Sequence, residues 1–344
     1  MPVEVRPFDP SSASDAELAG VYAVMMEVMA LDHPDQSQPT LPEYVASLGR
    51  PRTALGPVRR WFAWEDGRVV GQVSVTRPDQ ENRHLAIMQV LVAPERRRRG
   101  IGTALLRSVL PGVRDDGRTV VMGHGIKADG VGETWARELG FVRTHGYVRQ
   151  VLTLADVDQA LWQHPVAAGF RLESWTGAAP EELLAEYARA RTAITDAPNG
   201  ESALEFEDWT PERVRTHEAD LSARGVRNRV TVAVHEDGKD GGEDGGEVAA
   251  LTELSVRPEQ PSRAFQQDTA VVAGFRGHGL GLAVKGAMLR RLAAEQPGVE
   301  QIFTQTAHDN VHMIRINHAL GFVTTAALSE LEVGVAELAK RLEV

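Results

Sequence analysis

The chain contains no cysteine. That absence excludes disulfides, thiolate nucleophiles and cysteine-ligated zinc, and it is compatible with a reducing compartment. No apolar run is long enough to cross a bilayer, and the opening stretch from Met1 to Pro10 lacks the positive-then-apolar pattern of a secretory signal. A cytoplasmic protein with no membrane partner is expected. A broad basic face is missing as well: 37 Lys and Arg stand against 48 Asp and Glu, for a formal net charge of −11. Nucleic acid, which needs phosphate neutralisation over such a face, is therefore not an expected partner. Arg96 to Arg99 form only a local cluster. His308 and His312 sit one helical turn apart, but Asp309 stands where a zinc helix needs glutamate and no third ligand is evident, so no metal is expected.

What is present suits two globular domains. The 344 residues, 42% hydrophobic and 25% charged, exceed one ordinary core and match two of roughly 150 to 180 residues each. The dominant feature is a repeated junction. Val90 to Leu106 joins a strand-like run to a glycine turn and an amphipathic run, and Ala270 to Met288 does the same. Both carry arginine, two residues, glycine, one residue, glycine: Arg97-Gly100-Gly102 and Arg276-Gly279-Gly281. Two glycines ahead of a helix leave backbone N–H groups bare, and the helix dipole adds positive charge there, so a phosphate or pyrophosphate is the natural occupant. A dinucleotide fingerprint would need a third glycine where Leu105 and Val284 stand. A Walker loop would need Gly-Lys-Ser/Thr, which is also missing.

Along the chain, periodicity predicts a strand at Val3 to Phe8, helices at Asp15 to Leu31 and Leu41 to Leu48, and a hairpin from Trp61 to Thr76 turning at Glu65-Asp66-Gly67. A strand from His84 to Val92 enters the first glycine turn, and a helix runs from Ile101 to about Leu110. A strand at Thr119 to Met122, a helix at Thr134 to Leu139 stopping at Gly140, strands from Phe141 to Leu154 and a short helix at Ala155 to Trp162 complete the first half. The second half replays this order: Phe170 to Trp175, helices at Glu181 to Ala193 and Arg213 to Leu221, a hairpin around Asp237 to Gly246, Ala264 to Val272, the second turn and helix. Ile302 to Thr306, a helix at Asn310 to Ala319 stopping at Gly321, Phe322 to Val333 and a closing helix at Val335 to Leu342 finish it. The copies are offset by 179 residues at the glycine turn and 181 at the helix stop, the mark of a duplicated domain. A boundary is expected near Trp162 to Phe170, giving domains 1–163 and 164–344. The Asp237 to Gly246 loop, glycine and acid throughout, reads as a flexible surface excursion. Trp61, Trp64 and Trp135 read as core anchors.

On these residues the chain resembles the GNAT superfamily of acyl-CoA-dependent N-acetyltransferases in tandem arrangement. The family's Gln/Arg-x-x-Gly-x-Gly/Ala signature is met by Arg97-Arg98-Arg99-Gly100-Ile101-Gly102 and by Arg276-Gly277-His278-Gly279-Leu280-Gly281. Each is followed by a Leu-Gly-Phe ending, Leu139 to Phe141 and Leu320 to Phe322. The resemblance implies two α/β domains with mixed sheets, and acetyl-CoA as co-substrate. Its pyrophosphate would be held by the two turns, and its arm by Val90, Leu91 and Val92 or by Ala270, Val271 and Val272, with Thr103 and Asn310 as further contacts. It also implies direct transfer of an acetyl group to a primary amine of a small molecule. A non-catalytic acyl-CoA sensor is the alternative.

The usual acid and base depart from the family pattern. The glutamate position falls near Ala86 in one copy and near Phe265 or Gln266 in the other, and the tyrosine position is occupied by Ala136 and Asn317. Asn317, Gln267 and Glu253 are the candidate catalytic residues, while Gln266, Gln267 and Asp268, ahead of the second splayed strand, read first as solvating a sheet edge, with a direct contact of one of them to substrate as the alternative. The C-terminal copy is favoured as catalytic, with the N-terminal copy binding cofactor without turnover or serving as scaffold. His84, on the strand facing the presumed cleft, reads as an exposed strand-start residue. Oligomeric state is left open.

Overall fold

The computed structural model describes residues 3–34, 36, 38–48, 56–236 and 246–344. The chain forms two compact units, each discontinuous in sequence. The first comprises Met1–Tyr147, Gly200–Glu205 and Ala327–Val344, the second Val148–Asn199 and Phe206–Ala326. The contiguous division at residues 163 and 164 is thereby corrected. The acidic glycine loop lies almost wholly outside the described residues.

In the first unit, β1 (Glu4–Phe8), β2 (Val58–Glu65), β3 (Arg68–Thr76), β4 (Leu85–Val92) and β5 (Val120–Lys127) are neighbours in that order, and β12 (Val323–Gly334) lies beside β5. β12 runs antiparallel to β5 from Leu328↔Lys127 to Gly334↔Val120. Without it the buried strand β5 would present a bare edge, which is why the unit recruits the end of the chain. The β2–β3 hairpin turns at Asp66 and Gly67, both at positive φ (51° and 75°), the geometry that matches strand twist. Helix α1 (Asp15–Asp32) starts at a reciprocal cap between Ser14 and Glu17. It packs with α2 (Leu41–Leu48) over Phe62, Trp64 and Val69. The opposite face is covered by α3 (Ile101–Asp115) and α9 (Val335–Leu342), whose Leu338 and Leu342 share a core with Leu106 and Leu110. Arg107 Nε donates to the Leu342 carbonyl at 2.8 Å. The closing helix of the second half is thus a core element of the first unit.

The second unit repeats the plan with β6 (Val142–Thr153), β11 (Gln301–Ala307), β10 (Arg263–Val271), β9 (Glu247–Val256), β8 (Arg227–His235) and β7 (Phe170–Thr176) side by side, β6 entering it from Val148 onward. Helices α5 (Glu181–Thr192) and α6 (Pro211–Ala223) cover one face; α7 (Leu280–Glu295) and Trp162 cover the other. The helix expected at Ala155 to Trp162 is only a 3-10 turn at Gln159–Trp162. It serves to seat Trp162, which is fully buried with its Nε1 donating to the Leu320 carbonyl at 3.0 Å. The remaining helices, α4 (Val131–Glu138) and α8 (Val311–Ala319), follow β5 and β11.

Candidate active site

Each unit opens its sheet in the same place. β4 pairs in parallel with β5 only from Leu85↔Val120 to Met88↔Gly123, and β10 pairs with β11 only from Arg263↔Gln301 to Phe265↔Phe303. Beyond those points the strands diverge, leaving Val90 to Val92 and Ala270 to Val272 facing a wedge. Such an edge can take an amide-bearing chain as an added strand.

At the mouth of each wedge the glycine turn delivers a helix N-terminus. Gly100 and Gly279 cap α3 and α7 at φ 78° and 73°, a left-handed conformation that disfavours other residues, and a Cβ at either would meet nothing within 4 Å. Among the described residues, no backbone carbonyl accepts from the amides of Gly277, His278 and Gly279, or of Arg98, Arg99 and Gly100. Open space plus bare amides at a positive helix end fits a diphosphate.

The arginine that opens each signature lines its cleft and also ties the strand end to an aspartate. Arg97 Nε donates to the Val92 carbonyl at 3.2 Å while its two terminal nitrogens bridge Asp32 at 3.1 and 2.6 Å. Arg276 repeats the arrangement with the Val271 carbonyl and Asp196. Both arginines buckle the strand end to the segment closing the preceding helix. Asp32 and Asp196, which complete the buckle, carry no sequence signal because the pairing is long-range. In the first unit Arg98 and Arg99 remain exposed at the turn, where the second unit has Gly277 and His278.

The two clefts differ in size. The first, about 340 Å³, is lined by Val90 to Val92, Arg98, Gly100 to Thr103 and Trp135. The second, about 710 Å³, is lined by Thr269 to Val271, Arg276, Gly277, Gly279 to Leu282, Asn310, His312 and Ile316. Trp135 packs so closely on the first turn that a Cβ on Gly102 would lie 3.0 Å from its ring. Instead of being a core anchor alone, its indole occupies the cleft wall where the second unit has the slimmer Ile316. Trp135→Ile is expected to widen the first cleft and tighten CoA binding there about tenfold, roughly 1.4 kcal/mol. Isothermal titration calorimetry resolving two sites checks it, and weaker binding would show the indole to be a ligand contact.

Beyond the second wedge the ladder between β9 and β10 is interrupted. Pairing is regular through Thr252↔Thr269, then slips to Leu254↔Gln266. The matching ladder in the first unit runs unbroken from Gly71↔Val92 to Thr76↔Ile87. The slip places Gln267 and Asp268 in a bulge, a device that re-aims side chains. The Gln266 amide closes the gap by donating to Thr252 Oγ1 at 2.9 Å and to the Glu253 carbonyl.

Asp268 keeps 38% of its side chain accessible and lies 3.9 Å from Arg191. Even so, loss of surrounding water, reinforced by Glu207, raises its pKa above the ordinary carboxylate value against the pull of Arg191. Arg191 stacks 3.3 Å above the Trp209 ring and pairs with Glu253 at 3.1 Å. His217, edge-on to Trp209, has its pKa lowered to about 4 by burial and by Arg191. It is therefore neutral at physiological pH.

The three candidate catalytic residues are not gathered at one point. Asn317 is fully buried, donating to Gln150 Oε1 at 2.8 Å and Thr306 Oγ1 at 3.2 Å. It does not line the cleft. Glu253 is 1% exposed and accepts from the Tyr187 hydroxyl at 2.6 Å as well as from Arg191, an arrangement that anchors rather than reacts. Gln267 is exposed and donates to Ser255 Oγ at 3.0 Å. An amide has no basic lone pair for proton transfer. Asn310 caps α8 by accepting from the Met313 amide at 3.1 Å, on the cleft wall. His84 Nε2 contacts the Ala203 carbonyl at 3.0 Å and is half-buried, tied to the Gly200–Glu205 segment rather than standing exposed.

A split strand pair, a glycine-turn helix and a duplicated layout are the marks of an acyltransferase class. The acetyltransferase (GNAT) family pattern matches residues 23–125 and 194–322, more than half the chain. The chain belongs to that family and is an acyltransferase. It is 27% identical over 300 residues to a mycothiol acetyltransferase of Frankia casuarinae, covering 84% of this chain and 78% of that one. A mycothiol acetyltransferase of Nocardia farcinica is 29% identical over 208 residues, 59% of this chain and 58% of that protein. Among solved structures, a tandem GNAT protein from the clavulanic acid biosynthesis pathway shares the fold over 97% of this chain and 99% of its own, with TM-score 0.75 and 26% identity. Among the described residues no helix is long and apolar enough to cross a membrane.

Proposed function

We propose that the second unit transfers an acetyl group from acetyl-CoA to the primary amine of a small molecule, with Asp268 accepting the proton. The observation that carries this reading is the bulge. It sets one accessible carboxylate of raised pKa beside the larger wedge, where the first unit has an unbroken ladder. When bound, acetyl-CoA supplies the activated thioester.

The chain's own residues divide the remaining work. The amides of Gly277, His278 and Gly279 would hold the diphosphate, and the exposed edge of Ala270 to Val272 would align the arm. Arg276, locked by Asp196, keeps the strand end rigid, and such positioning is a large share of rate enhancement in direct transfer. Asp268 with Glu207 gives the acceptor side acidic character suited to an amine arriving as ammonium. Arg191, held by Glu253 and Tyr187, limits how far the Asp268 pKa rises. Tyr187 itself stays protonated, because burial and Glu253 raise its pKa well above the usual value.

Gly279→Val tests the site. A β-branched side chain at φ 73° strains the turn by about 1 to 2 kcal/mol and projects into the diphosphate space. CoA affinity at the larger cleft is expected to fall by at least tenfold, with loss of CoA thiol release across an amine panel. Unchanged affinity and turnover would overturn the reading.

A further inference from the structure

One rung of the ladder at the inner end of each wedge is apolar in the first unit and hydroxylated in the second. It is Val73↔Val90 between β3 and β4, and Thr252↔Thr269 between β9 and β10. Each threonine stands 179 residues after its valine, the offset of the glycine turns. Val90 lines the first cleft and Thr269 the second. Valine and threonine have nearly the same shape, so the exchange adds two hydroxyl groups and little else. They lie where an arm running back along Val272 to Ala270 brings its thioester.

The direction of the hydrogen bonds follows from their partners. Gln266 Nε2 donates to Thr252 Oγ1 at 2.9 Å and to the Glu253 carbonyl, which only accepts, so the amide nitrogen rather than its oxygen faces this pair. Thr252 Oγ1 and Thr269 Oγ1 lie 2.8 Å apart. Thr252 is fully buried, and a buried hydroxyl proton needs an acceptor. Among the described residues, Thr269 Oγ1 is the acceptor it reaches. Thr252 therefore donates to Thr269, and the Thr269 proton is left to point into the cleft. Thr252 lies two residues from Leu254, which packs with Met288 and Leu289 of α7, so both threonines stand on the α7 side of the sheet. Asp268, displaced by the bulge, reaches Arg191 of α5 on the other side, where Glu253 meets Tyr187. Adjacent residues of one strand thus address the wedge from opposite faces.

We propose that Thr269 is a further catalytic residue of the second unit: its hydroxyl, aimed by Thr252 and Gln266, donates a hydrogen bond to the leaving thiolate. This rests on the reading that acyl-CoA fills the second wedge. The amine nitrogen, arriving on the Asp268 side, bonds to the acyl carbon and passes a proton to that carboxylate. The carbon–sulfur bond breaks with its electron pair on sulfur, and the Thr269 O–H donates to that charge without ionising. The thiolate takes a proton from water as CoA departs, and Asp268 returns its own proton to water. A donor oriented before the charge develops needs no reorganisation at the moment of reaction. Val90 offers no such donor, so the first unit would hold the same thioester without easing its cleavage.

The chain has no cysteine, so an ultraviolet difference titration of CoA-saturated against CoA-free protein reads the CoA thiolate alone. The thiol in the second cleft is expected to ionise about one pH unit lower in wild type than in Thr269→Val. The same variant, which copies the residue of the first unit, should lose roughly ten- to hundredfold in kcat while calorimetric CoA affinity stays within about twofold. Thr269→Ser, which keeps the hydroxyl, should recover most of the rate, and Thr252→Val, which leaves Thr269 unaimed, should lose part of it. Wild-type kcat with an unmoved thiol titration in Thr269→Val overturns the proposal, as does a rate loss that serine fails to repair. Gly279→Val decides the underlying reading separately. If CoA affinity and turnover survive it, that reading fails and this proposal falls with it; a Gly279→Val loss beside a silent Thr269→Val removes this proposal alone.

Discussion

Asp268→Asn is expected to lower kcat/KM for amine acetylation by about 10² to 10⁴, the range supplied by a positioned general base. The substitution keeps size and hydrogen bonding but removes the basic oxygen, so KM for acetyl-CoA should hardly change. A base works only when deprotonated, and burial with Glu207 raises the Asp268 pKa. Wild-type kcat/KM should therefore climb as pH rises through that raised value, and the limb should vanish in the variant. Gln267→Ala, one residue away in the same bulge, serves as the control, with an effect under tenfold expected. If Asp268→Asn keeps both rate and pH limb, proton removal belongs elsewhere, and the bulge is structural.

Lys285→Met should raise stability on the order of 4 kcal/mol at pH 7. Lys285 lies in α7 at 2% exposure, its Nζ 5.5 Å from the Phe322 ring centre. Burial alone lowers its pKa from 10.5 to about 7. Between those two values the unfolded chain holds a proton that the folded chain lacks. Stability is consequently lost as pH falls from about 10.5 to about 7, and the loss is complete below that. At about 1.4 kcal/mol per pKa unit, a depression of this size gives the magnitude quoted. Methionine keeps the unbranched shape without the charge. Urea midpoints for wild type and variant should differ strongly at pH 7 and converge near pH 10. Equal midpoints at both pH values would show that the ammonium is solvated in the native state.

A large share of the fold can be read along the chain. The hairpin at Glu65 to Gly67, the capped start of α1, both glycine turns and the final helix at Val335 to Leu342 all lie where local chemistry places them, since each rests on contacts within a few residues. The acid–base residues could not be read this way. Asn317 is set by the family's motif spacing, yet its position turns it into the core, to Gln150 and Thr306. The buckles Arg97–Asp32 and Arg276–Asp196 join residues 65 and 80 positions apart. No window along the sequence contains such a pair.

The sequence by itself determined duplication, family and the two glycine turns, because a glycine at positive φ ahead of a helix is a local requirement that the residue types must satisfy. Only the tertiary structure decided which strand completes which sheet, how wide each cleft is and which carboxylates stay accessible. Those outcomes depend on edges that must be covered, on a tryptophan where its counterpart is isoleucine, and on a one-residue slip in a ladder. Each is settled between residues far apart along the chain.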